Sequence, residues 1–167
     1  MKLLAKFTLV FIIVFGVGLT LAGYASRQFL QQNAEEQVLQ QARLMMQNMF
    51  SARTYTTKQI KPLLVPVQTQ QRTFLPQTVP AYAATESFGY LHASYPDYGY
   101  KEATLNPTNP RDRAVDWETD LINSFRSDPQ KTELFGKRDT PTGPSLFLAR
   151  PIIATQPCLE CHDQPSR

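Results

Sequence analysis

Between Phe7 and Ala25 the chain reads FTLVFIIVFGVGLTLAGYA, nineteen residues without a charge. Few folds are open to such a stretch. In lipid every backbone N–H and C=O must find its partner within the segment, so a lone span is a helix. About 20 residues at ~1.5 Å each cross a hydrocarbon core of ~30 Å. Lys2 and Lys6 precede the run, which predicts a cytoplasmic N-terminus with the rest of the chain exported. The run also exceeds the ~7–15 apolar residues of a cleaved signal. Tyr24, between Gly23 and Ala25, makes a poor cleavage site. Residues 1–25 therefore read as the uncleaved signal anchor of a single-pass protein of a bacterial inner membrane, with everything after them in the periplasm.

That anchor makes the overall composition misleading. A mean hydropathy of -0.32 averages an apolar end with a polar remainder. The net charge of +3 comes from scattered rather than clustered Lys and Arg, so the basic footprint of a nucleic-acid binder is absent. Residues 26–62 begin Gln-rich and carry no Gly or Pro before Pro62. Two apolar stripes overlap there, Leu39-Ala42-Met46-Met49-Arg53 and Val38-Ala42-Met45-Met49, and predict a long stalk helix with one narrow packing face. Such a helix suits a homodimer.

Residues 63–167 read as one α+β domain. Pro62, Pro66, Pro76 and Pro80 predict a loop-like segment, followed by a short helix from Pro80 to about Leu91. Tyr98, Tyr100 and Thr104 predict a strand that gives way to turns at Asn106-Pro107 and Asn109-Pro110. In DRAVDWETDLINSFRSDP an amphipathic helix lines up Val115, Leu121, Ile122 and Phe125, with Trp117 near its start. The run 145–155, SLFLARPIIAT, reads as a buried strand.

The chemistry is concentrated in CLECH, residues 158–162, which holds both cysteines and one of the two histidines. Reshuffling this composition would produce such a C-x-x-C-H roughly once in seven thousand trials. The pattern is that of c-type haem attachment. Cys158 and Cys161 can each form a thioether to one vinyl group on the same porphyrin edge, and His162 then falls beneath the iron as an axial ligand. A Cys158–Cys161 disulfide suits the compartment but leaves His162 without a role. A thioredoxin-like pair needs a βαβ context that is missing here. A zinc site needs four ligands, and only His92 is left to join these three. One covalent haem c is the expected cofactor. For the second face of the iron the candidates are Met49, with Met45 and Met46 beside it, and His92. Arg53, Lys101, Arg111 and Arg150 are candidate partners of the haem propionates.

Four stretches, ARTYTTKQIKPLL, FLPQTVPAYAATESFGYL, YKEATLNPTNPRDRAVDWE and LFLARPIIATQPCLECHDQP, together resemble a known family. It comprises the PAS-like c-type haem domains that serve as periplasmic sensor modules of bacterial receptors and sometimes stand alone. The resemblance spans about residues 50 to 165. It implies a PAS-like α+β fold led by a long helix from the membrane, thioethers from Cys158 and Cys161, and His162 as axial ligand. Some relatives supply a cysteine as second axial ligand, which this chain cannot do because it has no third cysteine. Relatives also usually continue past the motif, whereas this sequence stops at Arg167; it reads as a fragment or as a short variant whose sheet is completed otherwise.

The expected function is haem-based sensing of redox state or a small gas ligand, with a membrane-tethered electron-transfer cytochrome as the alternative. No catalytic constellation is legible, so an enzyme is not expected.

Overall fold

The structure is a computed structural model, which describes residues 2–140, 143–155 and 158–159. The chain divides into two compact units, residues 1–42 and 43–167. In the first, everything described belongs to helix α1 (Lys2–Tyr55), the one described helix long and apolar enough to cross a membrane. Its apolar side chains from Leu3 to Leu21 face outward, the arrangement a lipid solvent favours.

The second unit starts with the rest of α1. A π-helical turn, Thr56–Ile60, follows directly and leads into α2 (Lys61–Gln71). Helicity therefore runs past Pro62 and through Pro66, where the sequence predicted a loop. Pro62 directly follows the π turn in a continuous helix, so it and Pro66 each forfeit a rung of the ladder. Arg72 ends the helix in the left-handed region (φ 49°), its N–H reaching the Gln68 and Thr69 carbonyls. The Gln68 side chain then accepts from the N–H of Leu75 at 2.9 Å and fixes the exit.

Helix α3 (Pro80–Ser94) runs almost one turn beyond the expected end at Leu91. Tyr95, restricted by Pro96, closes it with an N–H to the Leu91 carbonyl. Met49, Ala84 and Phe88 form the buried cluster of this unit, with Leu91, Tyr98 and Tyr100 packed against it. Met49 thus packs α1 against α3; its stripe fitted either a coiled-coil seam or a helix packed on a domain, and at Met49 it is the second.

No strand forms at Tyr98–Thr104. The segment is an irregular connector, closed where the N–H of Thr104 meets the Asp112 carbonyl and the N–H of Ala114 meets the Thr104 carbonyl, both at 2.9 Å. Pro107 and Pro110 lack the donors a longer ladder needs. Asn109 instead caps a short 3₁₀ turn, Pro110–Asp112, by accepting from the N–H of Arg111.

Helix α4 (Asp116–Ser127) appears where expected, and its Trp117, Leu121, Ile122 and Phe125 are half-buried. Val115 is not on that face. It precedes the helix, exposed, and its N–H is taken by the Glu118 carboxylate at 2.9 Å.

Two strands, β1 (Leu134–Thr140) and β2 (Gly143–Ala149), form an antiparallel pair in the register Leu134↔Ala149 to Thr140↔Gly143. β2 confirms the first half of the expected strand; from Arg150 to Thr155 the chain is irregular. β1 was not anticipated, because its charged Lys137, Arg138 and Asp139 mask a strand. Gly143, at φ 117°, takes a conformation that suits glycine alone. Trp117 packs α4 onto the pair, 5.5 Å from the Phe147 ring, with the Arg138 guanidinium 3.9 Å from the Trp117 ring centroid. Among the described residues the fold is α+β, with a small two-stranded sheet.

Glu133 ties this sheet to α1. Its carboxylate receives Arg43 Nε at 3.0 Å and Arg150 Nη2 at 2.7 Å. Burial pushes Glu133 upward, but the bonds from Arg150 and Arg43 outweigh it and hold its carboxyl below the usual range. A depressed carboxylate stabilises the fold above the unfolded value and loses that stabilisation as pH falls through the folded one. Glu133→Gln is therefore expected to cost about 1 kcal/mol at neutral pH. Urea midpoints of the two proteins should converge in acid, once wild-type Glu133 is itself protonated.

Candidate functional site

Of the C-x-x-C-H motif, Cys158 and Leu159 lie within the described residues; Cys161 and His162 lie outside them. Cys158 closes a tight turn with Thr155. Its N–H donates to the Thr155 carbonyl at 2.8 Å, while the Thr155 N–H points at the Cys158 sulfur at 3.4 Å. The Thr155 hydroxyl stands 3.5 Å from the same sulfur. These contacts hold the thiol below its ordinary pKa: the Thr155 backbone N–H contributes most, then its hydroxyl, with burial opposing and the charges of Arg53 and Lys61 assisting. A thiol so placed is biased toward the thiolate, the nucleophilic form.

Arg53 lies three residues before the π turn and Lys61 directly after it. Arg53, one helical turn after Met49, gives its guanidinium to the Glu102 carboxylate, and both side chains are largely buried. The other Glu102 oxygen accepts from the Tyr100 hydroxyl at 2.8 Å. Tyr100 is pushed well above the usual phenol range, by burial first and then by Glu102. Its ring lies 5.4 Å from Phe88, so this polar network rests directly on the Met49 cluster.

His92 lies at the exposed end of α3, its ring stacked on Phe88 with centroids 6.4 Å apart. His92 Nδ1 is 2.7 Å from the Tyr98 carbonyl. A carbonyl only accepts, so Nδ1 carries the proton and Nε2 keeps the lone pair in neutral imidazole. That is the arrangement common among metal-binding histidines. Met49 and His92 thus share Phe88 as a neighbour, one inside the cluster and one at its rim.

Each of the four cations read as a propionate partner has a carboxylate of this chain beside it. Arg53 has Glu102, and Lys101 has Glu118 at 2.6 Å. Arg111 has Glu86 and Asp112, each at 3.7 Å, and Arg150 has Glu133. Lys101 also donates to the Arg113 carbonyl at 2.7 Å, tying the connector to the entry of α4. Sequence reasoning missed Glu102, Tyr100, Thr155 and Lys61. Only Thr155, three residues before a cysteine, carried a local signal, that of a side-chain-capped turn. No group of three metal-binding side chains occurs among the described residues.

The described residues therefore offer a thiol favoured toward thiolate by Thr155 and, in the same unit, a compact cluster of Met49, Ala84 and Phe88. A model of the Tll0287-like family matches residues 31–167, most of the chain. No curated protein and no solved structure gives a match.

Proposed function

The chain belongs to the Tll0287-like family, a family of c-type-cytochrome-like domains, and from that membership we propose that it is a membrane-anchored haem protein that senses redox state or a small ligand. The observation that supports this most is the Cys158 turn, which holds a thiolate-prone sulfur at the head of a C-x-x-C-H sequence. In this reading Cys158 and Cys161 hold one haem c through thioethers and His162 is an axial ligand; the bound group supplies reversible one-electron chemistry. The domain is PAS-like and lies in the periplasm, with α1 as its single membrane span. Met49 and His92 are the candidates for the second axial position. Arg53 is one candidate to meet a propionate, which would have to compete with Glu102 for its guanidinium.

Carbon monoxide tests the sensing reading. Added to the reduced protein, it is expected to shift the Soret band, because an exchangeable axial site admits it. An unmoved band, with the same six-coordinate spectrum in both redox states, overturns ligand sensing and leaves electron transfer. The axial candidates separate in the same experiment. If Met49 ligates, Met49→Ala abolishes the sulfur-to-iron charge-transfer band and lowers the potential, and His92→Ala leaves both unchanged.

A further inference from the structure

The π turn between α1 and α2 interrupts seventy residues of helix, Lys2–Gln71, at one place. A π turn carries one residue more than the α-helix would use, at a cost in hydrogen-bond geometry, and such turns cluster at functional sites. Here the N–H of Lys61 reaches back to the Thr56 carbonyl, five residues away. The hydroxyl of Thr57 takes the Arg53 carbonyl at 2.9 Å, and Thr56 is buried. Two further hydroxyls bond carbonyls four residues back on the approach, Ser51 to Gln47 and Thr54 to Phe50, each at 2.9 Å. Side-chain bonds of this kind weaken and bend a helix.

The sequence before this turn is built for two registers. Met45-Met46 and Met49-Phe50 are adjacent apolar pairs four residues apart. In the observed register Met49 fills the cluster with Ala84 and Phe88, and Phe50 is half-buried. Relaxing the π turn into α-helix would advance the segment before it by about 1.5 Å and rotate it by about 100°. Phe50 would then take the Met49 position, an apolar side chain replacing another. The same rotation would carry Arg53 away from Glu102.

We propose that Thr56–Ile60 is a register hinge, with the Arg53–Glu102–Tyr100 network as its latch and the Met49-Phe50 pair as its two alternative core residues. The hinge is a property of the polypeptide and holds whether or not the haem reading does. Its two states differ in which residue is buried and in whether Arg53 is latched, so anything that competes for Arg53 biases them. An anionic group beside Cys158 would be such a competitor.

Three variants of the full-length chain in detergent test this, read by amide hydrogen exchange over residues 56–61 and by methionine-selective oxidation with mass spectrometry. Deleting Lys58 removes the extra residue and closes the turn to α-helix in the observed register, apart from the one rung that Pro62 cannot form. Exchange should slow roughly tenfold and Met49 oxidation should fall. Thr57→Val and Glu102→Gln weaken the π turn and the latch. Each should raise Met49 oxidation about threefold or more, with Met46 unchanged. A rise shared equally by Met45, Met46 and Met49 means general loosening and overturns the hinge. So does a Thr57→Val protein whose Met49 is as protected as in wild type. Should the Lys58 deletion not fold, the two substitutions decide the matter alone.

Discussion

Cys158→Ser/Cys161→Ser protein is expected to lose its haem completely on denaturation, whereas wild type retains it. In the proposed reading the two thioethers would be the only covalent links, since this sequence holds no other cysteine. Each single variant should keep one link and remain coloured after denaturation. If His162 is the proposed axial ligand, His162→Ala should leave both thioethers intact and change the native spectrum, because it would remove an iron-bound nitrogen without touching a sulfur. Cys158→Ser is expected to slow attachment, because the Thr155 N–H and hydroxyl stand against the Cys158 sulfur and favour its thiolate, the form required for carbon–sulfur bond formation. Acid–acetone extraction reads attachment in all five proteins, and the native absorption spectrum reads the His162 change.

Phe88→Ala should have the largest effect on folding. Among the described residues of this unit the buried apolar side chains are Met49, Ala84 and Phe88, and Phe88 is the largest of them. Its ring also stacks with His92 and meets Tyr100 at a tilt. Truncating a buried phenylalanine costs about 3–5 kcal/mol, a large share of the ~5–15 kcal/mol that holds a domain together. The thermal midpoint of the solubilised protein should fall by on the order of 10 °C. A loss of a degree or two would mean that the cluster around Met49 is not the core. Phe88→Leu keeps most of the volume and should recover more than half of the loss.

Helices α1, α3 and α4 were legible because each shows its helical pattern over a dozen residues or more. The connector after α3 was not. Tyr98, Tyr100 and Thr104 have strand propensity, but Pro107 and Pro110 lie beyond them, and what organises the segment is tertiary: Glu102 to Arg53, Lys101 to Glu118. No local pattern encodes partners so far apart. The extension of α2 through Pro66 was hidden for a related reason, because the exit is secured by Gln68 and Arg72 rather than by helix formers. β1 was hidden by its charges, although the apolar run of β2 demanded a partner strand. In the site, Cys158 stood out by sequence, yet its bias toward thiolate depends on Thr155 nearby and on Arg53 and Lys61 from α1 and α2. Met49 and His92 were both visible as metal-binding types. His92 meets Phe88 by i,i+4 spacing within α3; that Met49 meets it too follows only from the packing of α1 on α3.

The intact mass of the purified full-length chain, taken after denaturation, tests the account most directly. A c-type haem held by Cys158 and Cys161 predicts the polypeptide mass plus one haem, with a reduced spectrum typical of two saturated vinyl groups. A polypeptide mass without haem, from protein made in cells that mature c-type cytochromes, would contradict it.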